Sequence, residues 1–345
     1  MRRCVFLLWF LFWADFGFAQ NVVLVNGTII DGTGKPRSTG SVRVRDGKVV
    51  DIGVFKPAPG EMLLDIKGMV VAPGFIDMST LSPAAIAKDP APLSLITQGV
   101  TTAVLGADGS GPYSIEEFML PFDEKPAGLN IALLIGHGTV RRQIMGDDFK
   151  RSANADELER MSQLITSGMK QGAFGFATDL QQEPASFSTP EELLALTKIA
   201  GRLGGTLVIK LRDESKIPES VKEAVTLARE AKLPVQVVGA NKSAMTEIEK
   251  ARAQRVDIAA DSYSFADLIT EKPVMLERAI QRLSGTPAAR IALRERGVLK
   301  RNAPADLVVF NPAALSSGMK YVFVNGMMTV KDGQPTDARA GQALR

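Results

Sequence analysis

The sequence predicts an α/β protein: a (β/α) barrel or an open doubly wound sheet, joined to a small β-sandwich domain built from both termini. Three observations lead there. Short apolar runs with hydrophobic residues on consecutive positions recur through the middle of the chain, as strands buried on both faces of a parallel sheet require. Amphipathic stretches with helix-start signals separate several of these runs, giving a strand–helix–strand rhythm of roughly 20 to 40 residues. The two ends instead carry β-type runs punctuated by Asn-Gly and Asp-Gly pairs.

Taken in order, Met1-Arg2-Arg3 is a short basic start, residues 4–13 are an unbroken apolar run, and Gly17-Phe18-Ala19 sets small residues before a cut. This predicts a signal peptide over residues 1–19, too short an apolar run to span a bilayer, and an exported protein, periplasmic or extracellular, with no membrane segment after cleavage. Val22 to Val25, Asn26-Gly27 and Thr28 to Ile30 read as a hairpin, and Tyr321 to Val324, Asn325-Gly326 and Met327 to Val330 repeat it. Asp46-Gly47 and Asp332-Gly333 supply further turns, flanked by strand-like Ser41 to Arg45, Val49 to Ile52 and Leu307 to Phe310. Residues 20–69 and 301–345 are therefore read as the two parts of the β domain, around a central domain over residues 70–300.

In that central domain, seven runs read as buried strands: Val70 to Ile76, Thr101 to Leu105, Ile131 to Ile135, Ala173 to Ala177, Thr206 to Ile209, Val235 to Val238 and Val256 to Ala260. A closed barrel has eight. Asn154 with Glu157 three residues on predicts a helix start, followed by an apolar stripe of Leu158, Met161, Leu164 and Ile165. Thr189-Pro190-Glu191-Glu192 opens a second helix, and a third runs from about Pro218 to Lys232 with Val221, Ala224, Val225 and Ala228 inward.

The composition excludes several chemistries. Among 345 residues, 41 are basic and 38 acidic, and there is one histidine, His137, and one cysteine, Cys4. An intrachain disulfide is excluded, and a zinc site, which draws three ligands mostly from His and Cys, has almost no donors. The net charge of +3 comes with no basic block that would mark nucleic acid as a partner.

Several motifs carry a resemblance. Val25-Asn26-Gly27-Thr28-Ile29-Ile30-Asp31-Gly32-Thr33-Gly34, Val71-Ala72-Pro73-Gly74-Phe75-Ile76-Asp77 and Gly136-His137-Gly138-Thr139-Val140-Arg141 resemble the N-acyl-D-amino-acid deacylase branch of the amidohydrolase superfamily. Gly175-Phe176-Ala177-Thr178, Leu211-Arg212-Asp213-Glu214 and Ala305-Asp306-Leu307-Val308-Val309-Phe310 follow in the same order. The resemblance implies a zinc-dependent (β/α) barrel with a split β domain that hydrolyses amide bonds of N-acylated D-amino acids. The seven counted strands then read as an incomplete barrel, seven of eight. The family's metal-binding positions fall on Ser79, Leu81, Asp108, Lys210 and Gly239, and the segment bearing its final aspartate is missing after Asp261-Ser262-Tyr263-Ser264-Phe265.

These residues cannot assemble the zinc-activated water that amide hydrolysis uses. The chain is therefore expected to be an internally shortened pseudoenzyme without zinc, binding a small N-acylated amino acid or peptide, or associating with itself or another subunit that covers the open barrel edge. The alternative is an active hydrolase of non-peptide C–N bonds by a non-zinc route through Asp108, Lys210 or His137. Asp108 and Lys210 are expected to form an ion pair, while a calcium or magnesium site would draw on Asp77, Asp108, Asp179 and Asp261. Arg141 and Arg212 are candidates for holding a ligand carboxylate, with Asp213 beside them. His137 reads as either a general base or a hydrogen-bonding residue.

Overall fold

A computed structural model describes residues 21–79, 82–260, 276–314 and 318–345. The signal-like stretch with Cys4, Leu81, and the segment from Asp261 to Phe265 lie outside the described residues.

The N-terminal part supplies β1 (Val22–Ile29), β2 (Ser38–Arg45), β3 (Lys48–Gly53), β4 (Met62–Asp65) and β5 (Val70–Pro73). The central part runs β6 (Phe75–Asp77), α1 (Pro83–Lys88), α2 (Leu93–Ile96), β7 (Val100–Leu105), α3 (Ile115–Glu124), β8 (Asn130–Gly136), α4 (His137–Met145), α5 (Ala155–Lys170) and β9 (Gly175–Asp179). It continues through α6 (Pro190–Arg202), β10 (Thr206–Lys210), α7 (Ile217–Ala231), β11 (Val235–Val237), α8 (Lys242–Ala253), β12 (Ile258–Ala260), α9 (Leu276–Leu283) and α10 (Gly285–Arg290). The chain then gives β13 (Leu307–Phe310), β14 (Met319–Val324), β15 (Met327–Lys331) and β16 (Gln334–Pro335).

The central strands form one seven-stranded parallel sheet in sequential order, β6 to β12. Sequential order is the winding of a barrel, so the doubly wound alternative is set aside. The sheet curls into a half-barrel; among the described residues no pairing joins β6 to β12. Its strands β7, β8 and β9 are buried at every position, which is why they read as unbroken apolar runs. Ile76, Met78, Val104, Ala132, Leu134, Ala177 and Val208 form an interior cluster that Ala288 and Ile291, from α10 and its C-cap, complete. The expected helix starts form: Asn154 and Glu157 make a reciprocal capping box on α5, and the Thr189 hydroxyl accepts the Glu192 N–H at the head of α6. Among the described residues no helix is long and apolar enough to cross a membrane.

The terminal strands form a separate sheet, β16-β15-β14-β13-β5-β1-β2-β3, with β4 added beside β1. Val44, Val71, Leu307, Phe323 and Met328, from strands spread along this path, share one core, so the sheet wraps around it. Two expectations are corrected here. The run Val70 to Ile76 is two strands: β5 pairs with β1 and β13 in the terminal sheet, and after Gly74 the chain enters the half-barrel as β6 beside β7. A Cβ at Gly74 would overlap the Thr101 side chain, so the crossing point has room only for glycine.

Asn26-Gly27, read as a hairpin turn, is instead a bulge within the continuous strand β1. Asn26 adopts φ 62°, but β2 pairs along one side both before and after it, while β4 and β5 hold the other side. The pairs Asp46-Gly47, Asn325-Gly326 and Asp332-Gly333 do turn the chain, with positive φ at both residues of each pair, as a type I′ hairpin needs.

A cleft at the carboxyl ends of the parallel strands

In open or closed α/β sheets, sites collect where strands end and loops begin. Here a cleft of about 510 Å³ lies at that end, lined by Asp108 and Ser110 after β7, Thr139, Arg142 and Gln143 on α4, and Asp179 with residues 182–185 after β9. Asp108 is presented by a turn in which its Oδ1 accepts from the Ser110 N–H at 3.0 Å and the Ser110 hydroxyl at 2.7 Å. That turn packs directly on the end of β8. The Gly136 N–H donates to the Gly111 carbonyl at 3.0 Å, and a Cβ on Gly111 would overlap the Leu134 carbonyl oxygen.

Lys210 and Asp179 are register partners at the ends of the adjacent strands β10 and β9. Their side chains pair, with Nζ 3.6 Å from Oδ2, while Asp179 Oδ1 accepts the Gln181 N–H at 2.9 Å. The expected pair of Lys210 with Asp108 is thereby corrected. Asp108 follows β7, three strands from β10, and its Oδ1 is engaged in its own turn by Ser110.

The two arginines expected to hold a ligand are engaged elsewhere. Arg141 is fully buried; it pairs with Glu192 and donates to the carbonyls of Phe149 at 2.8 Å and Arg151 at 2.7 Å. Arg212 meets Glu223 through Nε at 3.1 Å and Nη2 at 2.8 Å, and Nη1 donates to the Ser188 carbonyl at 3.1 Å, fastening the loop after β9 to α7. Asp213 closes its own turn, accepting from the Ser215 N–H at 2.8 Å and the Ser215 hydroxyl at 2.6 Å, which holds its carboxyl below the usual range. The guanidinium that does line the cleft is Arg142, which the sequence reading passed over. Helical phase separates the two: residue 141 faces the core of α4 and residue 142, about 100° around the helix, faces out.

His137 is buried, its Nδ1 2.9 Å from the Thr178 hydroxyl and its Nε2 2.9 Å from Glu192 Oε1. Both ring nitrogens are therefore occupied. Burial pushes its pKa down from the ordinary 6.5; Glu192 opposes the shift, and the positive charges of Arg141 and Arg212 add to it. Below pH 6.5 the unfolded chain consequently binds a proton that the folded one resists, so this contribution to stability is complete above about pH 6.5 and declines as pH falls. Chemical denaturation between pH 7.5 and pH 5 should show that decline, and His137→Gln should flatten it; equal slopes in both proteins would refute the assignment.

No family model matches the sequence. An N-acyl-D-aspartate deacylase from Alcaligenes xylosoxydans xylosoxydans is 29% identical over 371 aligned positions, covering 91% of this chain and 73% of the relative. A D-aminoacylase from the same organism is 29% identical over 71% of this chain and 57% of its own length. Because the first alignment is longer than this 345-residue chain, the relative carries at least one stretch with no counterpart here. Among solved structures, an N-acyl-D-glutamate deacylase from Bordetella bronchiseptica, complexed with zinc and a phosphonate inhibitor, superposes with a TM-score of 0.84 at 22% identity, covering 94% of this chain and 99% of that one. The half-barrel is thus an amidohydrolase fold. In sequence the chain is similar to N-acyl-D-amino-acid deacylases.

The zinc that the relative's structure contains can be tested against the residues present. Among the described residues no three His, Cys, Asp or Glu side chains come together to hold a metal ion. Lys210 brings an ammonium group with no lone pair, Gly239 has no side chain, and both nitrogens of the single histidine are bonded elsewhere. Asp77, Asp108 and Asp179 each accept from a backbone N–H two residues on, and Asp261, the fourth oxygen donor considered for calcium or magnesium, lies outside the described residues. The described donor set does not fit zinc.

Proposed function

We propose that this chain is an exported protein whose carboxyl-end cleft binds a small N-acylated amino acid, or a peptide bearing one, without zinc-dependent hydrolysis. The observation that carries the reading is the Lys210–Asp179 pair. An ammonium group 3.6 Å from a carboxylate oxygen stands at the strand end where the resemblance aligns a zinc-ligating histidine, and a fixed cation there disfavours a second one. The relatives' names supply the ligand class, N-acyl-D-aspartate among them. Within the cleft, Arg142 offers a guanidinium for the ligand carboxylate; its ion pair with the exposed Asp147, at 3.6 Å, is a weak competitor. Asp108 offers an acceptor for the amide N–H, since among the described residues only its Oδ1 is engaged.

The test is calorimetric titration with N-acetyl-D-glutamate and N-acetyl-D-leucine, with and without chelator, alongside an assay for released amine and mass-spectrometric metal content. Saturable binding that chelator leaves unchanged, with no amine released, supports the reading. Stoichiometric zinc, or amine release that chelator abolishes and zinc restores, overturns it. Release that survives chelation but disappears in Lys210→Met favours the metal-free hydrolase, with Asp179 taking a proton from water and Lys210 facing the developing oxyanion. Arg142→Met should weaken carboxylate binding about 10- to 100-fold, the worth of one charge-assisted hydrogen bond; an unchanged affinity would remove Arg142 from the site. Export rests on the signal-like residues 1–19, and an N-terminus at Gln20 in protein recovered outside the cytoplasm would support it.

A further inference from the structure

His137 opens α4, the helix that carries Thr139, Arg142 and Gln143 into the cleft, and its ring reaches across to Thr178, the residue before Asp179 on β9. Beside the β8–β9 ladder, which pairs Gly136 with Ala177, this hydrogen bond therefore ties a side chain of one wall of the cleft to a side chain of the other. The geometry also decides where the ring proton sits. Burial works against the ionisation of Glu192, but hydrogen bonds from His137 and Arg141 prevail and hold its carboxyl below the usual range. A carboxylate only accepts, so His137 Nε2 must be the donor to it. In the neutral ring Nδ1 is then an acceptor, and the Thr178 hydroxyl donates to it.

We propose that His137 is a positioning residue held in the Nε2–H tautomer, which locks the α4 wall of the cleft to the β9 wall through Thr178 and so fixes Arg142 relative to Asp179. The proposal uses the cleft described above but not the identity of its ligand. The charged groups around the ring are Arg141 on its own helix, Glu192 from α6, and Arg212 from the segment after β10; β9 contributes Thr178 and the Phe176 ring, at a centroid distance of 5.4 Å. Protonation would place a third positive charge among these groups against the single carboxylate of Glu192. It would also force the Thr178 hydroxyl to turn from donor to acceptor, reversing the bond between the walls.

Because the chain has one histidine, a tag-free sample gives one set of imidazole signals. Long-range ¹⁵N–¹H correlation spectra from pH 8 to pH 6 should show Nε2 protonated and Nδ1 unprotonated, with no titration centred near the ordinary 6.5. Thr178→Val removes the hydroxyl at nearly constant shape. It should shift the Nδ1 resonance and the backbone amides of both walls, residues 139–143 and 179–185, while Thr178→Ser restores the wild-type tautomer signature. A protonated Nδ1, a midpoint near 6.5, or Thr178→Val perturbations confined to β9 would each overturn the proposal. All of these readouts are ligand-free, so failure to bind N-acetyl-D-glutamate would count against the proposed function and leave the positioning role of His137 to be decided by the spectra.

Discussion

Glu192→Leu is expected to lower the unfolding free energy by about 3–5 kcal/mol, because it leaves Arg141 as an uncompensated charge in the interior. Arg141 is fully buried and Glu192 is 4% exposed, so water cannot replace the lost carboxylate. The two carbonyls that Arg141 also reaches, Phe149 and Arg151, satisfy hydrogen bonds but not the charge. His137 loses its Nε2 partner at the same time. Since globular domains are stable by only about 5–15 kcal/mol, the midpoint in urea should fall by a large fraction of its wild-type value. The double variant Arg141→Met/Glu192→Leu should recover most of the loss, as buried pairs replaced together by apolar residues of similar volume often do. A single variant within about 0.5 kcal/mol of wild type, or a double variant no better than the single, would show that the pair is not buried as described.

Asp306→Ala should be of comparable size, about 3–5 kcal/mol, for a different reason. Asp306 lies immediately before β13 and joins three other parts of the chain. It pairs with the buried Arg296 after α10, accepts from the Asn130 amide at the head of β8 at 3.0 Å, and accepts from the Asn325 N–H in the β14–β15 turn at 2.8 Å. Arg296 and Asn130 in turn hold the C-terminal tail: Arg296 donates to Gln342 Oε1 at 2.9 Å, and Asn130 Oδ1 accepts the Gln342 N–H at 3.0 Å. Removing the carboxylate strands a buried guanidinium and two amide donors where the terminal sheet meets the half-barrel. Hydrogen exchange should therefore show both the β8 head and residues 341–345 losing protection together. Loss confined to the β14–β15 turn would refute this role for Asp306.

Much of the half-barrel was legible in the sequence, because a strand covered on both faces must be apolar at consecutive positions whatever its neighbours are. β7, β8 and β10 fall within a residue or so of the runs that announced them. Caps were equally local: Asn154 and Thr189 act within three residues of themselves. Turn chemistry was legible only in part. Asn26-Gly27 and Asn325-Gly326 are the same dipeptide between similar strands, yet one is a bulge inside β1 and the other reverses the chain. Both pairs place Asn at positive φ; what differs is whether a neighbouring strand runs past the irregularity, a matter of sheet topology.

The candidate site divides along the same line. That Asp108, His137, Asp179 and Lys210 belong to strand ends follows from where the apolar runs stop. Which of them pair does not: Lys210 meets Asp179 because β10 lies beside β9 in register, whereas Asp108 is three strands away. Likewise Arg141 and Arg142 are adjacent in sequence, and only the phase of α4 against the core sends one to Glu192 and the other to the cleft. The sequence by itself determined most of the buried strands of the half-barrel, the starts of α5 and α6 and the poverty of zinc donors, since burial, capping and side-chain chemistry act within a few residues. The tertiary structure alone decided that Arg141 and His137 converge on Glu192, more than fifty residues away, because a buried charge takes its partner from whatever the packed helices bring within hydrogen-bonding reach.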